Sequence, residues 1–248
     1  MGCTNENETI ITHNEGYNTM DIALIGYGKM GRAIYNAAVD RRHKIIEKFD
    51  TTNTLNSAAL QDTVCIDFTN PLAFRTNYKL IADNCKAAIV GTTGWEDIRK
   101  EVFDYFTKHK KTLIYAGNFS IGANIYFKII KIASKLLAGF EGYDPYVVEM
   151  HHREKKDQPS GTAKIIADIL HQDFNKIVHP ASIRSGWIKG VHEVGYESMV
   201  DKISIKHEAY TRDGFAVGAI LAAEWVENVK GIWSFQDLLA TKFQEILK

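Results

Sequence analysis

From Asp21 onward, short apolar runs alternate with stretches whose apolar residues recur every three or four positions. Ile22-Ala23-Leu24-Ile25 reads as a buried strand, Lys29 to Asp40 as a helix and Lys44 to Asp50 as a second strand. Val64 to Phe68 is a third strand. A helix follows it, opening near Pro71, where a missing N–H is tolerated in the first turn. Ala87 to Gly91 gives a fourth strand, Trp95 to Lys110 a helix and Leu113 to Ala116 a fifth strand. Short strands separated by helices pair in parallel through right-handed crossovers. The expected first unit is therefore an α/β, Rossmann-like, doubly wound parallel sheet.

The pattern changes near Ser120. Ile121 to Leu137 reads as a long helix, with Ile125, Ile129, Ile132 and Leu136 at helical spacing. Tyr146-Val147-Val148 is strand-like, and a helix runs from about Ser160 to Phe174. Strands then come in succession over Ala181–Trp187, Val191–Met199 and Lys202–Tyr210. This is a second α+β domain around a mixed or antiparallel sheet. Phe215 to Val229 and Phe235 to Leu247 read as helices that return to the first domain, whose sheet needs cover on both faces. The expected divisions are a flexible tail over 1–19, a first domain over 20–120, a second domain over 121–214, and returning helices over 215–248. The tail carries Glu6, Glu8 and Glu15, no Lys or Arg, and no apolar period.

Composition narrows the function classes. Thirty Lys and Arg balance thirty Asp and Glu in 248 residues, so no global field draws the chain onto nucleic acid or anionic lipid. No apolar run approaches the ~20 residues that span a bilayer, and no secretory signal opens the chain. Cys3, Cys65 and Cys85 make no metal spacing, and the last two sit in apolar runs as core residues of a reducing compartment. The expectation is a cytoplasmic protein with no nucleic-acid or membrane partner and no metal.

Two stretches carry chemistry. Gly26, Gly28 and Gly31 lie between the first strand and the first helix. They suit a tight turn, close backbone approach to a pyrophosphate and close helix packing. Asp50 ends the next strand 19 positions later, the place for a carboxylate that holds ribose hydroxyls. Thr51 and Thr52 follow it, with no arginine to cradle a 2′-phosphate, so the coenzyme is NADH or NADPH with a lean toward NADH. Gly91-Thr92-Thr93-Gly94 and Asn118-Phe119-Ser120 also lie at carboxyl ends of strands, where ligands bind in open α/β sheets.

The second stretch runs from Glu149 to Ala163 between a strand and a helix. Ser160-Gly161-Thr162 opens that helix, so its first N–H groups and two hydroxyls can bind an anion. Lys155 offers a point charge or a proton, and the imidazoles of His151 and His152 are groups that can take up or release one. Adjacent histidines also suit zinc, but no further ligand spacing completes a tetrahedral site. Beside a dinucleotide turn, these groups suit an electron acceptor that needs a proton donor and a cationic partner.

Together, Gly-x-Gly-x-Met-Gly, Gly91-Thr-Thr-Gly94, Asn118-Phe-Ser-x-Gly-x-Asn124 and Glu-x-His-His-x-x-Lys-x-Asp-x-Pro-Ser-Gly-Thr-Ala resemble the 4-hydroxy-tetrahydrodipicolinate reductase (dihydrodipicolinate reductase) family. The resemblance extends over Asp21 to Lys248, including Ile183-Arg-Ser-Gly186 and Arg212-x-x-Phe-Ala-x-Gly-Ala219. It implies reduction of a cyclic dicarboxylate in lysine biosynthesis through diaminopimelate. His151 and Lys155 would handle the proton, and His152, Ser160, Gly161 and Thr162 would bind substrate. Gly26, Tyr27, Gly28, Lys29, Met30 and Gly31 would hold the pyrophosphate, and Asp50 the ribose. Gly91, Thr92 and Thr93 with Ala116, Gly117, Asn118 and Phe119 would flank the nicotinamide. The resemblance also implies a homotetramer joined through sheets of the second domain. The rival readings are a dehydrogenase acting on aspartate or its semialdehyde and a nucleotide sensor without chemistry; neither needs the run from Lys155 to Thr162.

Overall fold

The computed structural model describes residues 18–246. The expected tail falls on 1–17 except for its last two residues, and the expected helix end at Leu247 also lies outside the described residues. Ten strands and eight α-helices follow one another among those described. The first unit holds β1 (Asp21–Ile25), α1 (Lys29–Asp40), β2 (Lys44–Phe49), α2 (Ser57–Leu60) and β3 (Val64–Asp67). It continues with α3 (Pro71–Asn84), β4 (Ala87–Val90), α4 (Arg99–Lys108) and β5 (Thr112–Tyr115). The second unit holds α5 (Ile121–Leu137), β6 (Asp144–His151), α6 (Gly161–Phe174), β7 (Ala181–Arg184), β8 (Val191–Glu197) and β9 (Lys202–Glu208). The chain closes with α7 (Asp213–Trp225), β10 (Ile232–Ser234) and α8 (Phe235–Ile246).

The first sheet is parallel throughout, in the order β10-β5-β4-β3-β1-β2. Its central strands are apolar on both faces because helices cover both. Ile22, Leu24 and Ile66 pack under α1 and α7, while Ala23, Cys65 and Leu113 pack under α3 and α4. Gly218 lets α7 lie directly on the segment after β5, since a Cβ there would stand 1.8 Å from the Phe119 carbonyl oxygen. Buried Glu224 on α7 bonds Arg41 and His43, both just after α1.

The second sheet is mixed, in the order β7-β6-β8-β9, with only β6 and β7 parallel. Its inner face packs on α5 and α6 through Tyr126, Ile130, Ile166, Leu170, Val194 and Tyr196. Along β6, Val147, Glu149 and His151 face inward by strand alternation.

Several boundaries differ from expectation. Strand β10 has no counterpart in the hydrophobic pattern, because three residues are too few to show a period. The expected helix over 215–229 ends as α7 at Trp225, with a 3-10 turn over Val226–Asn228, and that over 95–110 opens with a 3-10 turn at Glu96–Ile98. The strand expected over 181–187 stops at Arg184, where Ser185-Gly186 turns the chain at a positive Gly186 φ of 51°. Strand β8 ends at Glu197, two residues earlier than expected, because Ser198 and Asp201 bond each other to close the hairpin, and β9 ends at Glu208 rather than Tyr210. Conversely, β6 runs to eight residues where three were expected.

Candidate active site

Strands β1, β3, β4 and β5 deliver their following loops to one edge of the first sheet. At β1 the chain reverses through Gly26, φ 95°, whose N–H and that of Tyr27 both donate to the Phe49 carbonyl. A Cβ on Gly26 would stand 2.3 Å from the Phe68 carbonyl oxygen, and one on Gly31 would stand 2.3 Å from that of Gly26. Gly28 differs: nothing lies within 4 Å of its Cβ position. It is the N-cap of α1, and no side chain caps the helix there. Open space before uncapped N–H groups fits the pyrophosphate of a dinucleotide.

At the end of β2, the Asp50 carboxylate accepts bonds from the Thr52 N–H and hydroxyl at 2.7 and 2.6 Å. The Thr52 hydroxyl bond, aided by Arg32, holds it below the usual carboxylate range. Lys48 lies 5.1 Å from the Tyr27 ring centre and 5.0 Å from that of Tyr35, and Arg32 lies 5.6 Å from that of Tyr27. Arg32 therefore stands close enough to act on the expected ribose ligand, and Lys48 sits two positions before it at the end of β2.

The loops expected to flank the nicotinamide rest on a residue that sequence reasoning passed over. Asp67, the last residue of β3, is buried and accepts from the Thr92 hydroxyl at 2.5 Å, the Thr69 hydroxyl at 2.8 Å and the Thr69 N–H at 3.2 Å. It thereby ties the loop after β3 to the loop after β4. Thr93 also approaches Gly117, linking the loops after β4 and β5. Asn118 and Ser120 cap their own turns, and Asn124 donates to the carbonyls of both.

The second cluster follows from register. Arg184 on β7 pairs with His151 on β6, and His192 on β8 pairs with Glu149. The four side chains therefore converge at one end of the second sheet. Glu149, fully buried, receives the Nδ1–H of His151 on one oxygen, and on the other Arg184 Nη2 at 2.6 Å and the Ser160 N–H at 3.3 Å. Burial pushes the Glu149 carboxyl up, but bonds from Arg184 and His151 outweigh it and hold the group at about 2. Burial lowers His151, opposed by the Glu149 bond and charge, and pushes His192 down to about 4.

Ser160 caps α6 through its hydroxyl, which accepts from the Ala163 N–H and also meets His192 Nε2 at 3.0 Å. It is 2% exposed, so that hydroxyl is engaged inside the protein, whereas Gly161 is exposed and Thr162 half-buried. Lys155 meets Asp157 at 2.7 Å in the loop before α6, and His152 follows β6 half-buried. Glu149, His151 and His192 offer ligand atoms within 4.8 Å of one another. However, Arg184 and the His151 N–H already fill the carboxylate, so a cation would have to displace a guanidinium.

Residues 20–119 match the family profile described as dihydrodipicolinate reductase, N-terminus, and residues 122–239 match dihydrodipicolinate reductase, C-terminus. The chain belongs to the dihydrodipicolinate reductase family. Over 242 residues it is 35% identical to the 4-hydroxy-tetrahydrodipicolinate reductase of Christiangramia forsetii, covering 91% of this chain and 100% of that one. It is 35% identical to that of Rickettsia rickettsii over 244 residues, covering 88% and 98%. The fold matches the dipicolinate-bound dihydrodipicolinate reductase from Paenisporosarcina sp. TG-14, with a TM-score of 0.71 at 21% identity over 88% of this chain and 98% of that one.

In this member of the dihydrodipicolinate reductase family, Glu149 and Arg184 stood inside quoted motifs without a role, and His192 and Asp67 escaped the sequence reading. Period-two alternation on β6 could have found Glu149. Arg184 and His192 needed the register of three strands. Burial pushes the Asp67 carboxyl up to about 6 from an ordinary 3.8, against the pull of Thr92 and Thr69. The native state therefore binds more protons than the unfolded state between these values, so this group's contribution to stability grows as pH falls from about 7 toward 4. Asp67→Asn removes that slope. The wild-type Tm should rise relative to the variant's between pH 7 and pH 5, and a constant difference would contradict the raised value.

Proposed function

We propose that the chain reduces 4-hydroxy-tetrahydrodipicolinate to tetrahydrodipicolinate with loss of water, in the diaminopimelate route to lysine. Family membership across both halves of the chain carries this reading. A reduced nicotinamide coenzyme, when bound, supplies the hydride. Gly26 to Gly31 offer its pyrophosphate the uncapped head of α1, Asp50 meets the ribose, and Gly91 to Thr93 with Ala116 to Phe119 border the ring.

One substrate carboxylate sits at the head of α6, where Ser160 holds the turn and Gly161 and Thr162 beyond it face the anion. Lys155 exchanges its bond with Asp157 for that carboxylate, and His152 adds a donor. Water leaves C4 to give a conjugated imine. Hydride addition to this system is balanced by a proton from His151 or Lys155. Closure of the two units, hinged near Ser120 and Phe215, excludes water.

NADH is the preferred coenzyme, because the ionised Asp50 repels a 2′-phosphate and Thr51 brings no guanidinium. Lys48 and Arg32 offset part of that repulsion, so NADPH is also used. Lys48→Ala is expected to raise KM for NADPH about fivefold and to leave KM for NADH within about twofold, the change expected from losing roughly 1 kcal/mol of charge pairing. Equal effects on both would remove Lys48 from this role.

The outer face of the second sheet, with Tyr146, Val148, Met150 and Ile183, is the surface for a homotetramer, which light scattering would measure. No helix among the described residues is long and apolar enough to cross a membrane. The activity is tested by condensing pyruvate with aspartate semialdehyde enzymatically, adding the protein and following oxidation of NADH and NADPH. No oxidation beside an active control enzyme would overturn the reading.

A further inference from the structure

We propose that Glu149 is a positioning residue for this reductase. Its one carboxylate dictates which nitrogen of His151 carries the proton and locks that ring to the head of α6. The inference rests on His151 as a proton-handling group.

An ionised carboxylate offers only lone pairs, so the ring atom facing it must be a donor. Glu149 Oε2 meets Nδ1 of His151, which fixes the proton there and leaves Nε2 as the nitrogen that exchanges a proton with substrate. Nε2 points toward Gly190, where a Cβ would stand 3.2 Å away. The missing side chain keeps the space before that nitrogen clear. The other carboxylate oxygen carries the load of the site. Arg184 Nη2 donates to it at 2.6 Å and also to the Asp157 carbonyl at 2.7 Å, fixing the loop that bears Lys155. The Ser160 N–H donates to the same oxygen at 3.3 Å, which fixes α6. One buried group thus ties together His151, the Lys155 loop and the substrate helix.

Charge balance supports the arrangement. Glu149 and Arg184 form a buried ion pair, so His151 can gain or lose a proton without leaving the carboxylate uncompensated. The other groups facing His151 are Lys155 from the loop and His192 from β8, whose ring centre lies 5.1 Å from that of His151.

The test compares wild type, Glu149→Gln, His151→Gln and the double variant in the coupled assay. Glu149→Gln is expected to lower kcat about 10- to 100-fold, the usual range for a group that orients a reacting one, with KM for NADH within about twofold. The double variant should be no slower than the slower single variant, because Glu149 acts through His151. Wild-type kcat in Glu149→Gln beside a slow His151→Gln overturns the inference alone. Multiplied losses in the double variant do the same. Wild-type kcat in His151→Gln removes the role of His151 and the inference with it. Nitrogen-15 NMR of the wild-type histidines is a check that needs no variant to fold. Neutral His151 protonated at Nδ1 is expected, and protonation at Nε2 would overturn the inference.

Discussion

His151→Gln is expected to lower kcat by about 10²- to 10⁴-fold while Kd for NADH stays within about twofold. The reason is separation of tasks. His151 ends β6 in the second sheet, whereas every group assigned to the pyrophosphate and ribose belongs to the loops of the first. Glutamine keeps much of the size and one hydrogen-bonding arm, so Arg184 and Glu149 retain their pair and the fold is not asked to absorb a lone buried charge. Lys155→Ala should show the same split with an added rise in substrate KM, because Lys155 also faces the carboxylate. Single-turnover rates and coenzyme fluorescence titration separate the two effects. Wild-type turnover in both variants would refute both assignments.

Gly28→Val is expected to weaken coenzyme binding more than about 100-fold and to move Tm by no more than about 2 °C. Nothing in the protein lies within 4 Å of the Cβ position at Gly28, so the chain itself has room for a side chain. What loses room is an anion seated on the head of α1. Gly31→Val provides the contrast. Its side chain would collide with the Gly26 carbonyl, which is backbone and cannot swing aside, so stability and binding should fall together. Thermal melts with and without NADH distinguish the two outcomes. Unchanged affinity in Gly28→Val would place the coenzyme elsewhere.

Much of this architecture was legible in the chain because its signals are local. The apolar runs of β1, β3 and β4 are continuous, as strands buried on both faces must be, and the glycines and Pro71 mark their turns. The run from His151 to Thr162 stood out as candidate chemistry through residue types alone. What stayed hidden depends on register or on very short elements. Arg184 and His192 lie 33 and 41 positions from His151 in sequence, yet they reach its cluster through the pairing of β7 and β8 with β6. Asp67 lay unremarked inside the strand expected over Val64–Phe68. Its importance comes from two threonines on different loops that need one acceptor. The bond of the Ser160 hydroxyl to His192 was hidden in the same way, since His192 reaches it only through the pairing of β8 with β6.

Strand β10 pairs with β5 although the whole second unit lies between them in the chain. During synthesis, the first five strands therefore leave the ribosome with the β5 edge bare. It stays bare while more than a hundred further residues emerge, since β5 ends at Tyr115 and its neighbour starts at Ile232. An uncovered row of backbone donors and acceptors is a template for wrong pairing between nascent chains. Premature termination anywhere between these strands should thus give an aggregating product rather than a small, folded nucleotide-binding fragment.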